Sequence, residues 1–144
     1  MTQRSFAKVL SANDVGVTGS HQAGILVPKA DPELLSFFPA LDPSVHNPDA
    51  WITCTDESGN EWKLRYVYYN NRFHSEAGTR NEYRLTYLTP YFRRTAARPG
   101  EQLVFTATST PGRYLITIRR DQNRQVAGAG QPRVITLRGW RRIH

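Results

Sequence analysis

Two stretches rich in aromatic and β-branched residues, Trp51 to Thr55 and Trp62 to Tyr69, flank the turn-forming run Asp56-Glu57-Ser58-Gly59-Asn60. Strand, turn and strand in that order predict an antiparallel hairpin. A second hairpin is predicted from Leu103 to Ser109 and Tyr114 to Arg120 around Thr110-Pro111-Gly112-Arg113. Phe6 to Leu10, Ile25 to Val27, Arg84 to Leu88 and Arg133 to Leu137 read as further strands. Helices are few. Asp31-Pro32-Glu33-Leu34-Leu35-Ser36-Phe37-Phe38 carries an N-cap aspartate, a proline at the first helical position and clustered apolar residues, so a short helix is expected there, stopped by Pro39. Residues 39–49, with Pro39, Pro43 and Pro48, read as a loop, and Pro90 to Gly100 as a basic loop or short helix. The polar, glycine-containing segment from Ser11 to Gln22 and the run from Val126 to Pro132 read as loops, and Arg138, Arg141 and Arg142 as a basic end. The expected fold is mainly β, a barrel-like sheet of about seven strands with one or two short helices. At 144 residues, 1–144 is expected to be one domain with a core of its own.

Charge narrows the function. The net charge is +7, and sixteen of the nineteen basic residues are arginine. Residues 1–63 carry −4 and residues 64–144 carry +11. A planar fork that never deprotonates suits bidentate recognition of phosphate or guanine, and the abundant partner of such a surface is a polyanion. A lone cysteine, Cys54, excludes an internal disulfide framework and reads as a small core residue. No apolar run approaches the roughly 20 residues of a membrane helix, and no signal-peptide pattern opens the chain, so a cytoplasmic protein without membrane contact is expected.

The densest chemistry lies in residues 76–86, where Arg80, Asn81, Glu82 and Arg84 follow Gly78. Arginine matches the acceptors of guanine, asparagine can pair with adenine, and glutamate can accept from the amino group of cytosine. On an extended ribbon, Arg80, Glu82 and Arg84 share one face. The same residues also suit an ordinary solvated edge strand stitched by ion pairs.

Other constellations point elsewhere. Asp49, Glu61 and Lys63 have the spacing of a PD-(D/E)xK nuclease, in which two carboxylates hold Mg²⁺ and a lysine positions water. Asn47-Pro48-Asp49 is equally well a turn, and Glu61 and Lys63 the exposed face of a strand, so a binding chain without catalysis is expected, with a Mg²⁺-dependent nuclease using Asp49, Glu61 and Lys63 as the alternative. His21, His46, His74 and His144 are scattered, no Cys/His spacing supports zinc, and no metal or cofactor is expected. The glycines of residues 14–20 lack the Lys-Ser/Thr of a nucleotide-binding loop and read as a flexible recognition arm. The many tyrosines keep open an RNA-binding barrel that stacks bases.

Three ordered motifs resemble one family. Leu10-Ser11-Ala12-Asn13-Asp14 continues through Gly16, Thr18 and Gly19 to His21-Gln22, followed by Tyr68-Tyr69-Asn70-Asn71-Arg72 and Thr79-Arg80-Asn81-Glu82-Tyr83-Arg84. Over roughly residues 8–88 this is similar to the N-terminal effector domain of EcoRII-type restriction endonucleases, whose B3-like fold is shared with plant B3 transcription factors. The resemblance implies an open pseudo-barrel gripping duplex DNA with two arms in the major groove, Gly16 to His21 and Gly78 to Arg84, and a target of CCWGG, W being A or T. It implies base reading by Thr18, Ser20, His21, Gln22, Arg80, Asn81, Glu82 and Arg84, and backbone contacts by Lys8, Asn70, Arg72 and Thr79. Arg93 and Arg94 are expected to add phosphate contacts. A monomeric binding domain is expected, its catalytic nuclease domain elsewhere in a parent protein. A B3-type transcription regulator is the further alternative. Gly78 and Tyr83 stand where the family has lysines, Ser20 replaces a glycine, and the segment between Arg72 and Gly78 is longer.

Overall fold

The computed structural model describes residues 3–16, 24–120 and 139–143. The central hairpin is as expected: β3 (Asp49–Thr55) and β4 (Glu61–Tyr69) pair antiparallel from Asp49 opposite Val67 to Thr55 opposite Glu61. Asp56 closes its turn, accepting from the backbone N–H of Ser58 and of Asn60 at 2.9 Å each and from the Trp62 indole at 2.9 Å. The remaining strands are β1 (Ser5–Val9), β2 (Ile25–Val27), β5 (Glu82–Thr86), β6 (Gln102–Ala107), β7 (Arg113–Arg119) and β8 (Trp140–Arg142). All eight join one sheet in the order β2-β5-β4-β3-β7-β6-β1-β8.

Among the described residues only the β3–β7 contact is parallel; the other neighbours run antiparallel. Among the described residues the edge strands β2 and β8 share no ladder, yet the Trp140 indole N–H donates to the Leu26 carbonyl at 2.9 Å. Opposite edges of the sheet thereby meet through a side chain, which makes the architecture a curled, open pseudo-barrel.

The alternation of each strand sorts its residues to an inner or an outer face. Inside lie Leu64, Tyr66 and Tyr68 of β4, Ile52 and Cys54 of β3, Phe105 of β6, Tyr114 of β7 and Trp140 of β8, all buried. The short helix α1 (Pro32–Phe37) starts at Asp31, whose side chain accepts from the Leu34 N–H at 3.1 Å. It delivers Phe37 and Phe38 into the interior. Phe38 touches the rings of Tyr66, Phe105, Tyr114 and Trp140 with centroids 5.0–6.2 Å away, and the Tyr114 hydroxyl donates to the Phe37 carbonyl at 2.6 Å. Buried Cys54 has its thiol pushed up to about 12 by desolvation, as a core side chain does. No helix among the described residues is long and apolar enough to cross a membrane.

Two expectations shift, and one is left untested. The strand expected from Arg84 to Leu88 begins two residues earlier, at Glu82, and ends at Thr86, because Tyr87 takes φ +72° and Leu88 becomes the N-cap of α2 (Thr89–Thr95). The basic end contains β8, with Trp140 buried and Arg141 donating to Gln102 at 2.7 Å. The loop from Val126 to Pro132 and the strand from Arg133 to Leu137 lie outside the described residues.

Candidate nucleic-acid interface

The segment between β4 and β5 is built as a stapled loop. After a single 3₁₀ turn at Asn71–Phe73, the chain returns so that the Arg80 N–H donates to Asn71 Oδ1 at 2.9 Å and the Arg72 N–H to the Arg80 carbonyl at 3.1 Å. Gly78 is required by space: a Cβ there would lie 2.1 Å from the Asn71 carbonyl oxygen. A lysine could not take this backbone path without moving that turn. On the inner side the Tyr68 hydroxyl donates to Asn81 Oδ1 at 2.5 Å, and Tyr68 stacks on Tyr83 with centroids 4.3 Å apart and planes 8° from parallel. Tyr83, where the family pattern has lysine, is thus part of the barrel wall.

On the outer face the alternation brings Arg80, Glu82 and Arg84 together. Glu82 Oε2 accepts from Arg80 Nη2 at 2.8 Å and from Arg84 Nε at 2.6 Å. Partial burial raises the Glu82 pKa, but the two guanidinium hydrogen bonds outweigh it and hold the carboxyl below its ordinary range. Tyr69, directly opposite Glu82 in the ladder, lies beneath Arg80 with its ring centroid 3.8 Å from the guanidinium carbon. Arg84 also donates through Nη1 to the Gly24 carbonyl at 2.9 Å. The result is a row of donor, acceptor and donor groups, half-exposed and held from below. Such a row suits base edges in a major groove.

The root of the first arm is equally constructed. Asp14 Oδ2 accepts from Lys8 Nζ at 2.8 Å and from the Ser11 N–H at 2.9 Å, while Ser11 Oγ accepts from the Asp14 N–H at 3.1 Å. Gly16 follows at φ +82°. At the far end Gly24 takes φ +93°, and a Cβ there would sit 2.3 Å from the Leu85 carbonyl oxygen. Thr18, Ser20, His21 and Gln22 lie outside the described residues.

Two expected backbone contacts point inward. Lys8 is 6% exposed, with its ammonium also donating to the Val9 carbonyl at 2.7 Å, so it braces the 11–16 turn. Asn70 is fully buried: Oδ1 accepts from the Asn47 N–H at 2.7 Å, and Nδ2 donates to the carbonyls of Pro43 and Val45 at 3.1 and 2.9 Å. Lys8 uses two of its three ammonium donors within the protein and Asn70 bonds through both ends of its amide, so both side chains are oriented inward. Arg72 and Thr79 are exposed beside the arm. Arg93 and Arg94 are exposed on α2, whose Tyr91 packs against Trp62 with centroids 5.5 Å apart. Trp62 and Tyr69 are seven positions apart on β4, so α2 sits about 23 Å along the sheet from the arm.

The nuclease constellation does not assemble. Asp49 is opposite Val67 and Glu61 opposite Thr55, which separates the two carboxylates by six positions of β4, about 20 Å. Asp49 instead pairs with Arg65 at 2.6 Å, and Glu61 with Arg113 at 3.1 Å. Of the tyrosines, Tyr66, Tyr68, Tyr91 and Tyr114 are buried in the wall or core, whereas Tyr87 is exposed beside Trp51 with ring centroids 4.9 Å apart. Tyr69 was missed as a site residue because it ends an aromatic strand that reads as core. Its signal was parity, since Leu64, Tyr66 and Tyr68 face inward and Tyr69 must face out.

Compared with known proteins, residues 2–97 match the family described as restriction endonuclease EcoRII, N-terminal. That span contains both arms, α1 and α2, and ends before β6. A type II restriction enzyme EcoRII from Escherichia coli is 38% identical over 84 residues, 56% of this chain and 20% of that enzyme. The match therefore spans about a fifth of the relative's length.

Proposed function

This chain belongs to the EcoRII N-terminal family of restriction endonuclease domains, and we propose that it is the module that reads a specific duplex DNA sequence. The observation that carries this reading is the Arg80-Glu82-Arg84 row, where one carboxylate oxygen orders two arginines on a single face. A carboxylate is costly on a surface whose only task is to hold phosphates, because it repels them. It earns its place by accepting from cytosine N4, with the flanking arginines donating to guanine. Glu82 Oε2 holds both guanidinium groups, which leaves Oε1 for the base.

In this reading Arg80, Glu82 and Arg84 contact base edges from the second arm, with Asn81 supporting them. Thr18, Ser20, His21 and Gln22 read from the first arm. Arg72, Thr79, Arg93 and Arg94 contact phosphates and set register. Lys8 and Asn70 brace the roots of the arms. The target is CCWGG, the pseudo-barrel is B3-like, and the chain binds as a monomer in the cytoplasm without cutting. Cleavage belongs to a catalytic nuclease domain of a parent restriction enzyme.

Selection of bound molecules from a random duplex pool at moderate salt tests the reading. Recovery of CCWGG is the expected result. A different consensus would remove the target while leaving sequence-specific recognition. A pool that returns no consensus would remove the function itself.

A further inference from the structure

We propose that Tyr69 is a specificity-determining positioning residue of this site, acting through Arg80 without touching DNA. The inference rests on the base-reading role given to Arg80 above.

Three observations converge on Tyr69. Its ring centroid lies 3.8 Å from the Arg80 guanidinium carbon, a close contact of a cation with an aromatic face. It is paired directly across from Glu82, so the ring floors the gap between the arm and the sheet. Arg80 itself precedes β5, and its guanidinium is oriented by the Tyr69 face below and by Glu82 Oε2 at 2.8 Å beside it. Two separate constraints, a ring face at 3.8 Å and a carboxylate oxygen at 2.8 Å, leave the fork few rotamers. An unsupported arginine on a loop has a long, flexible stem, and ordering it costs roughly 2 kcal/mol of side-chain entropy, which is a factor of about 30 in affinity.

Glu82 alone cannot supply this order, because Oε2 is shared with Arg84 Nε at 2.6 Å. With Oε1 serving a base, the single oxygen Oε2 carries both guanidinium groups. The Tyr69 ring stands outside this network, on a residue whose backbone is paired in the β4–β5 ladder. Tyr69 therefore holds Arg80 in register while Glu82 serves the base. The contact needs only the aromatic face, so the hydroxyl is dispensable.

The test is a thermodynamic cycle measured on the full chain with a cognate and a scrambled duplex. Tyr69→Leu is expected to weaken cognate binding about two- to thirty-fold, the span between exposed and desolvated cation–ring contacts, with scrambled binding unchanged. Tyr69→Phe should restore the parent affinity. In an Arg80→Ala background, Tyr69→Leu should cost nothing further. A Tyr69→Leu chain that keeps full discrimination, or that loses it equally with and without Arg80, overturns the proposal. If Arg80→Ala itself leaves discrimination intact, the base-reading role fails instead, and the two failures are told apart. Unfolding midpoints of each variant show whether any loss is merely of fold, and in that event the Phe variant decides.

Discussion

Arg84 ties Glu82 to Gly24, donating through Nε to the carboxylate at 2.6 Å and through Nη1 to the Gly24 carbonyl at 2.9 Å, across sixty residues of sequence. The exit of the first arm and the strand of the second are thus held by one guanidinium. A planar fork with donors on two edges is what this geometry needs, and a lysine offers a single point of donation.

Gly24→Ala should be strongly destabilising. The glycine combines φ +93° with a backbone oxygen 2.3 Å from any Cβ, so both the conformation and the close approach to Leu85 are lost. A drop of about 2 to 4 kcal/mol in urea unfolding is expected. Gly59→Ala, at φ +87° but with open space around its Cβ, should cost less. Equal costs at the two sites would contradict the account of how β2 approaches β5.

Asp56 should make the central hairpin sensitive to acid. Its carboxyl is held below the ordinary 3.8, chiefly by the Trp62 indole, with the turn N–H groups adding to it against a smaller cost of burial. A carboxyl with a depressed folded pKa contributes stability that is present above its unfolded value and is lost as pH falls through the folded one. Asp56→Ala should therefore cost about 2 to 3 kcal/mol from neutral pH down to about pH 5, and the gap to the parent should narrow below about pH 4. A gap that stays constant to pH 2 would exclude the charge as its source.

The basic residues should divide by where their side chains point. Arg72→Ala and Arg93→Ala should weaken cognate and scrambled duplexes alike and each lower the salt slope by about one, because a phosphate contact carries no sequence information. Lys8→Ala should instead lower stability by about 2 kcal/mol, since it removes the ammonium from the Asp14 carboxylate, whose side chain is only 10% exposed. Its salt slope should match that of the parent. A salt slope reduced by one in Lys8→Ala would return that residue to the phosphate-binding set.

Much of this division was legible in the pattern of residues. The turn chemistry of residues 56–60 and the N-cap at Asp31 located β3, β4 and α1 within a residue or two. Period two placed Arg80, Glu82 and Arg84 together, since that argument needs only an extended backbone. The same parity places Lys8 with Phe6 and Asn70 with Tyr66 and Tyr68, on the buried side. The family resemblance set both at the DNA backbone, and in the fold Asp14 and the 43–47 loop supply them with partners. The end of β5 was illegible for another reason. Leu85-Thr86-Tyr87-Leu88 is uniformly extended by propensity, and only the start of α2 forces Tyr87 to φ +72°. β8 was hidden because three arginines surround Trp140, whose indole bridges to β2.

The central claim is that Glu82 reads a base, and its removal tests this most directly. Titrating Glu82→Ala and the parent against a CCWGG duplex and a scrambled duplex at the same moderate salt should separate two opposing effects. Loss of the acceptor should weaken cognate binding by about 1 to 3 kcal/mol. Loss of a negative charge, with Arg80 and Arg84 released, should tighten binding to the scrambled duplex. Discrimination then falls from both sides. If Glu82→Ala binds the CCWGG duplex as tightly as the parent or more tightly, residues 78–84 are an ordinary charged edge and the account is contradicted.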